Sequence, residues 1–215
     1  MAPDLVPTLF DYSLSDATDP AKWVSKADAE KLFSFFKGHA LFTWTASHNG
    51  CEARADAVCI LLQQWKIPHY KAWVFSGDYL KKHIGGLIQN WNYHVAAVLP
   101  VKEEGSMVFY SIDPATGNTL QRVQDWAAGV TAYPHSYHFI KLPHWYLFHQ
   151  GTITATNWYA RNRQNRKWML QGLAGINGLT TIGKAQLSFC KERVRKTARL
   201  FEEVKREVVG WTTVQ

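Results

Sequence analysis

The chain has 215 residues, 47% of them hydrophobic and 14% aromatic with ten tryptophans, which excludes a disordered chain and allows one sizeable core. Its net charge of +7 is uneven: residues 1–150 carry 12 basic and 13 acidic side chains, residues 151–215 carry 12 and 4. No basic start with an apolar run reads as a signal peptide, and no stretch of about 18 apolar residues predicts a membrane span.

Residues 1–20, with Pro3, Pro7 and Pro20, read as an irregular lead-in. Ser25 or Asp28 caps a helix through Lys37, on which Ala29, Leu32, Phe33 and Phe36 recur at steps of three and four; Gly38 stops it. Leu41 to Trp44 reads as a short strand before the polar turn Ser47 to Gly50. A second helix runs from Cys51 to about Trp65, with Ala55, Val58, Cys59 and Leu62 on one face, and Pro68 forbids its continuation.

Strand-like runs follow at Tyr70–Phe75, Trp91–Val101, Met107–Ile112 and Tyr137–Leu142, punctuated by turn signals at Gly85-Gly86, Glu104-Gly105 and Thr116-Gly117-Asn118. Short links favour antiparallel pairing, and helices followed by a meander predict an α+β fold. Further on, Trp158 to Leu170 mixes arginines and asparagines with aromatics, and Gly172, Gly175 and Gly178 follow. A long helix is predicted from Lys184 to about Val209. Its seam is Leu187, Cys190, Val194, Thr197, Phe201, Val204 and Val208, about three heptads, and it is expected to dock on its own domain.

Cys51 opens the second helix, where the positive end of the helix dipole and the free N–H groups of the first turn favour a thiolate. Those N–H groups also suit the oxyanion of a tetrahedral intermediate. Cys59 lies two turns further along the apolar face and reads as a small buried hydrophobe. With Cys190 the cysteines number three, an odd and sparse set that is neither a disulfide framework nor a zinc module. A reducing compartment, or delivery without a visible signal peptide, fits this set.

A thiol nucleophile needs a base that also delivers a proton to the leaving group. Of nine histidines, His94 lies inside the strand-like run 91–101, and Asp113 ends the next one, before Pro114. A hairpin centred between Glu103 and Glu104 sets His94 directly opposite Asp113, which would then orient the imidazole. The bland readings are a structural core histidine and an Asx turn ahead of proline. Trp91 and Tyr93 are candidates to wall an acyl pocket, and Asn49 stands beside the nucleophile. Arg54 reads as a residue that orients the catalytic helix. His135, His138, His144 and His149 lack the spacing of a known metal motif, so neither metal nor cofactor is expected.

The runs NGCEARADAV (Asn49 to Val58), NWNYHVAAVLPV (Asn90 to Val101) and YSIDPATGN (Tyr110 to Asn118) resemble the bacterial protein-glutaminases. In that family Gly-Cys-x-Ala-Arg-Ala, Trp-x-Tyr-His-Val-Ala and Ile-Asp-Pro segments supply the catalytic Cys, His and Asp in this order. The resemblance spans roughly residues 27–149. It implies a papain/transglutaminase-like fold, with a Cys51–His94–Asp113 triad that hydrolyses the side-chain amide of protein-bound glutamine through a thioester. Transglutaminase and cysteine protease chemistry use the same constellation, and a non-enzymatic interaction protein on this fold is the alternative of another class.

The division implied is a catalytic domain at 1–150 and a basic helical extension at 151–215. The familiar secreted members are rich in disulfides and the extension has no counterpart there; a delivered effector or toxin domain acting on one protein fits both departures. The expected partners are a protein or peptide with an exposed glutamine and an acidic partner for the extension, the alternative for the latter being a solvated basic face. No nucleic-acid motif is present, and none is expected as a partner.

Overall fold

The structure is a computed structural model that describes residues 22–44, 50–75, 93–130, 137–141, 146, 155–176 and 184–207. Ser25 caps α1 (Lys26–Gly38): its hydroxyl accepts the Asp28 N–H at 3.1 Å. Ala29, Leu32, Phe33 and Phe36 form the buried face, as their spacing predicts. Leu41–Trp44 is not a strand. Phe42 N–H bonds back to His39 O, and Trp44 Nε1–H donates to Phe36 O, so the segment folds as a turn against the end of α1.

α2 (Cys51–Gln64) is the central helix. Every residue from Ala53 to Leu62 is buried, the mark of a helix covered on all sides. Beside it lies a five-stranded antiparallel sheet in the order β4-β3-β2-β1-β5, built from β1 (Tyr70–Phe75), β2 (Tyr93–Glu103), β3 (Ser106–Ile112), β4 (Gln121–Arg122) and β5 (Tyr137–Lys141). Residues 91, 92 and 142, and the turn at Gly85-Gly86, lie outside the described residues. The helix-plus-antiparallel-sheet architecture is of the α+β class.

The β2–β3 hairpin turns through Glu104 and Gly105, both with positive φ (48° and 82°), the two-residue geometry that matches strand twist. It pairs Glu103 with Ser106 and Ala97 with Ile112. His94 is therefore not directly opposite Asp113, because the turn is centred one residue later than expected and the register moves by two. Side chains alternate with period two, so a two-residue shift leaves both on the same face.

That face is set by packing. Ala96 and Val98 of β2 join Ala72, Val74 and the short helix α3 (Val123–Val130) in a small cluster around Trp126. Ala97, Leu99 and Val101 face the main core with α1 and α2. Two C-terminal helices complete that core, α4 (Ala155–Leu173) and α5 (Lys184–Arg206). α4 lies on α2 and buries Asn162, Asn165, Arg166, Met169 and Leu170. The Arg166 guanidinium bonds the Asp56 carboxylate of α2, whose other oxygen takes Lys71 Nζ of β1 at 2.7 Å. α5 buries Val194, Phe201 and Val204 in the same core, so its seam docks on the chain itself; the Leu187 side chain and Val208 lie outside the described residues. Among the described residues no helix is long and apolar enough to cross a membrane.

Candidate active site

Gly50 precedes α2 with φ of 103°, a conformation that costs a residue with a Cβ about 1–2 kcal/mol and sets the angle at which Cys51 enters the helix. Cys51 is partly buried. Its thiol donates to Glu52 Oε2 at 3.5 Å and also meets the backbone N–H of Val95, the residue after His94. At this point β2 has run past the end of its pairing with β3, which stops at Ala97↔Ile112.

The helix N-terminus does not make Cys51 a resting thiolate, as its position in the sequence suggests. Burial first, then the Glu52 carboxylate, push the thiol well above its usual value; Arg54 and the Val95 N–H work the other way and are outweighed. Arg54 is itself buried. Its guanidinium donates to Thr43 O at 3.5 Å and lies 5.7 Å over the Trp44 ring, tying α2 to the segment that follows α1, in keeping with an orienting role.

His94 and Asp113 are both buried and share a hydrogen bond of 2.7 Å between Nε2 and Oδ2. The same Oδ2 accepts the Thr116 hydroxyl at 2.6 Å and the Trp126 indole N–H at 2.9 Å. The Trp126 ring also lies 5.6 Å from that of His94. Burial acts to raise the Asp113 pKa, but the His94 charge and these hydrogen bonds overcome it and hold the carboxylate at about 2. The turn at Pro114 uses both the Asp113 carbonyl, which accepts the Thr116 N–H at 3.2 Å, and the Asp113 side chain, whose Oδ2 serves the Thr116 hydroxyl and His94 together.

Of the other expected site residues, Asn49 and Trp91 lie outside the described residues. Tyr93 does face the helix, where its hydroxyl donates to Glu52 Oε1 and its ring packs at 5.3 Å on Trp73. Cys59 is fully buried and pushed up to about 12, an inert core thiol as its position predicts. Among the four histidines of the latter half, only the backbone of His138 is described.

Glu52, Thr116, Trp126 and Tyr146 are not among the residues that the sequence singles out. Glu52 carries a signal, an acid directly after Cys51 in the first helical turn. Thr116 and Trp126 reach Asp113 through a turn and through α3, and local patterning does not announce either. Tyr146 is buried in the main core with its ring 5.9 Å from that of Trp168, and its hydroxyl is pushed well up by burial and by the Glu52 and Asp56 carboxylates.

Residues 29–130, which hold Cys51, His94 and Asp113, match a family model described as glutaminase. Among solved structures, a crystal structure of protein-glutaminase aligns with a TM-score of 0.51 at 18% identity, over 76% of this chain and 98% of its own. A pro-protein-glutaminase structure aligns with a TM-score of 0.51 at 17% identity, over 82% of this chain and 66% of its own. At such identities the structures speak to a common fold. No curated protein sequence matches the chain. Residues 29–130 thus carry the likeness to the glutaminase family, and the chain shares the fold of the protein-glutaminase structures.

Proposed function

We propose that the protein deamidates protein-bound glutamine to glutamate, with Cys51 as nucleophile, His94 as general base and acid, and Asp113 as the carboxylate that orients His94. The observation that carries this reading is the buried 2.7 Å bond between His94 Nε2 and Asp113, in a strand whose next residue meets the Cys51 sulfur, inside the segment that matches the glutaminase model. Asp113 occupies Nε2, so Nδ1 is the ring nitrogen assigned to proton exchange with the thiol.

Because the resting thiol is held neutral, its proton passes to His94 as sulfur attacks the carboxamide carbon. The oxyanion is met by N–H groups at the start of α2. Collapse of the tetrahedral intermediate expels ammonia, protonated by His94, and leaves a thioester. Water, deprotonated by the same histidine, cleaves the thioester and restores the thiol. The His94 imidazolium formed at each stage is balanced by the ionised Asp113.

Residues 1–150 supply these groups, and the basic extension, residues 151–215, packs on α2 through α4 and offers an acidic partner a surface. Action on one target protein as a delivered effector or toxin is supported by the free cysteines and by the uneven charge. The reading is tested by incubating wild type and Cys51→Ala with a blocked glutamine peptide while following ammonia and peptide mass. Deamidation gives ammonia and a gain of about one dalton without cleavage, abolished in Cys51→Ala. Cleavage fragments point instead to a protease, and an adduct with added amine to a transglutaminase. Activity that survives Cys51→Ala overturns the mechanism.

A further inference from the structure

Glu52 is adjacent in sequence to the nucleophile, and its carboxylate is committed at both oxygens. Oε2 receives the Cys51 thiol at 3.5 Å, and Oε1 receives the Tyr93 hydroxyl. The Tyr93 bond crosses from β2 to α2 and fixes the carboxylate beside the sulfur, where a free glutamate side chain would swing into solvent. Nothing in the chemistry proposed above uses this group, and a negative charge beside a thiol opposes its ionisation. Its location therefore calls for a compensating role.

We propose that Glu52 is a specificity residue that reads the –NH2 group of the substrate carboxamide at Cys51 and rejects the carboxylate product. This rests on the glutaminase reading and adds to it. A primary amide has two distinct ends: an oxygen that only accepts hydrogen bonds and a nitrogen that only donates them. Around the Cys51 sulfur the protein presents the matching pair. The Val95 backbone N–H and the N–H groups of the α2 first turn are donors, whereas the Glu52 carboxylate only accepts.

A carboxamide whose carbon approaches the sulfur can place its oxygen toward the donors. Its nitrogen then lies toward Glu52, and displaces the thiol hydrogen bond that Glu52 holds at rest. The glutamate product has no hydrogen to offer and carries a charge of the same sign, so it is expelled. Arg54, the other charged group at the thiol, is turned to Thr43 O and Trp44 and does not neutralise this contact. Tyr146, whose hydroxyl also feels Glu52, stays a neutral phenol and adds no charge.

The test uses the full chain and two alkylating reagents that carry the two end groups, iodoacetamide and iodoacetate. Alkylation is followed separately at Cys51 and Cys190 by peptide mass in wild type and Glu52→Gln. A change in thiol ionisation affects both reagents alike and cancels in the ratio of rates. The iodoacetamide-to-iodoacetate ratio at Cys51 is expected to fall about tenfold or more in Glu52→Gln, and the ratio at Cys190 to stay constant.

In turnover, the ratio of kcat/KM for a glutamine peptide to that for its γ-methyl ester should fall similarly, and inhibition by the glutamate peptide should strengthen. An unchanged Cys51 alkylation ratio in a wild-type enzyme that releases ammonia overturns the role of Glu52 alone. A wild type that releases no ammonia from glutamine peptides overturns the glutaminase reading, whatever the alkylation ratio. Glu52→Asp serves as a second variant: a shortened carboxylate that restores part of the ratio separates charge from fold.

Discussion

Gly172 of α4 lies so close to Ala53 of α2 that a Cβ at position 172 would stand 2.5 Å from the Ala53 Cβ. Two helices can approach this closely only where one has no side chain, and Ala53 is the third residue of the helix that Cys51 opens. Gly172→Ala must push α4 away from the helix that carries Cys51. The expected cost is about 1–3 kcal/mol in stability, read by denaturant unfolding, with a fall in ammonia release greater than lost folded protein explains. Gly38, where an added Cβ meets nothing, is the control for the same substitution.

The Asp56 carboxylate holds two buried cations, Lys71 on β1 and Arg166 on α4. Asp56→Ala leaves both without their shared anion and should cost about 3–5 kcal/mol, a large part of the stability of a typical single domain. Arg166→Met, with Asp56 still paired to Lys71, should cost less. Thermal denaturation of the two variants gives the order. By the same contacts, truncation after residue 150 should give an unfolded chain and not an active core, which circular dichroism distinguishes.

Trp126→Phe keeps an aromatic ring beside His94 but deletes the N–H that bonds Asp113. One of three donors to the same carboxylate oxygen is lost. The expected result is a fall in kcat of roughly tenfold with KM little changed, because orientation of His94 suffers and substrate contacts do not. A loss confined to KM would assign Trp126 to substrate binding.

Acid should destabilise the fold in two steps. His69 is fully buried, and burial above all lowers its pKa from 6.5 to about 4. Between those values the unfolded chain binds a proton that the folded chain refuses, so stability is intact above pH 6.5 and falls as pH drops toward 4. The amount is about 3 kcal/mol. Asp113, lowered from 3.8 to about 2, gives a second loss of about 2 kcal/mol as pH falls through that lower window. Urea unfolding across pH should show both, and His69→Gln should remove the upper step alone.

Much of the fold was legible where apolar spacing and caps agree. Ser25 with Ala29, Leu32, Phe33 and Phe36 marks α1, and the strands at β1 and β3 fall within a residue of the alternating runs. α4 is hard to see in the sequence, although Asn162, Asn165, Arg166, Met169, Leu170 and Leu173 recur at helical spacing. Half of that face is polar, and its burial makes sense only once Asp56 stands opposite, a pairing that no local pattern contains. α3 is eight residues long with Gly129 inside it, too short to show a period.

At the site, helix position singles out Cys51 and strand ends single out His94 and Asp113 as candidates, and the latter two share a hydrogen bond. The thiol's ionisation was misread, because the dipole argument took no account of burial or of the carboxylate next door. The register was off by two because a two-residue turn with both φ values positive accepts Glu104 as well as the more usual asparagine or aspartate ahead of glycine.

That turn gives the site a parity rule. Slipping β3 along β2 by two residues keeps Asp113 on the face that bears His94, and only the reach of the pair changes. Slipping by one would send Asp113 to the opposite face, away from Trp126 and His94 alike. The number of residues between the strands, odd or even, thus decides whether a carboxylate reaches the histidine. The dyad is encoded as firmly by Glu104 and Gly105, about ten residues away, as by the two side chains that compose it.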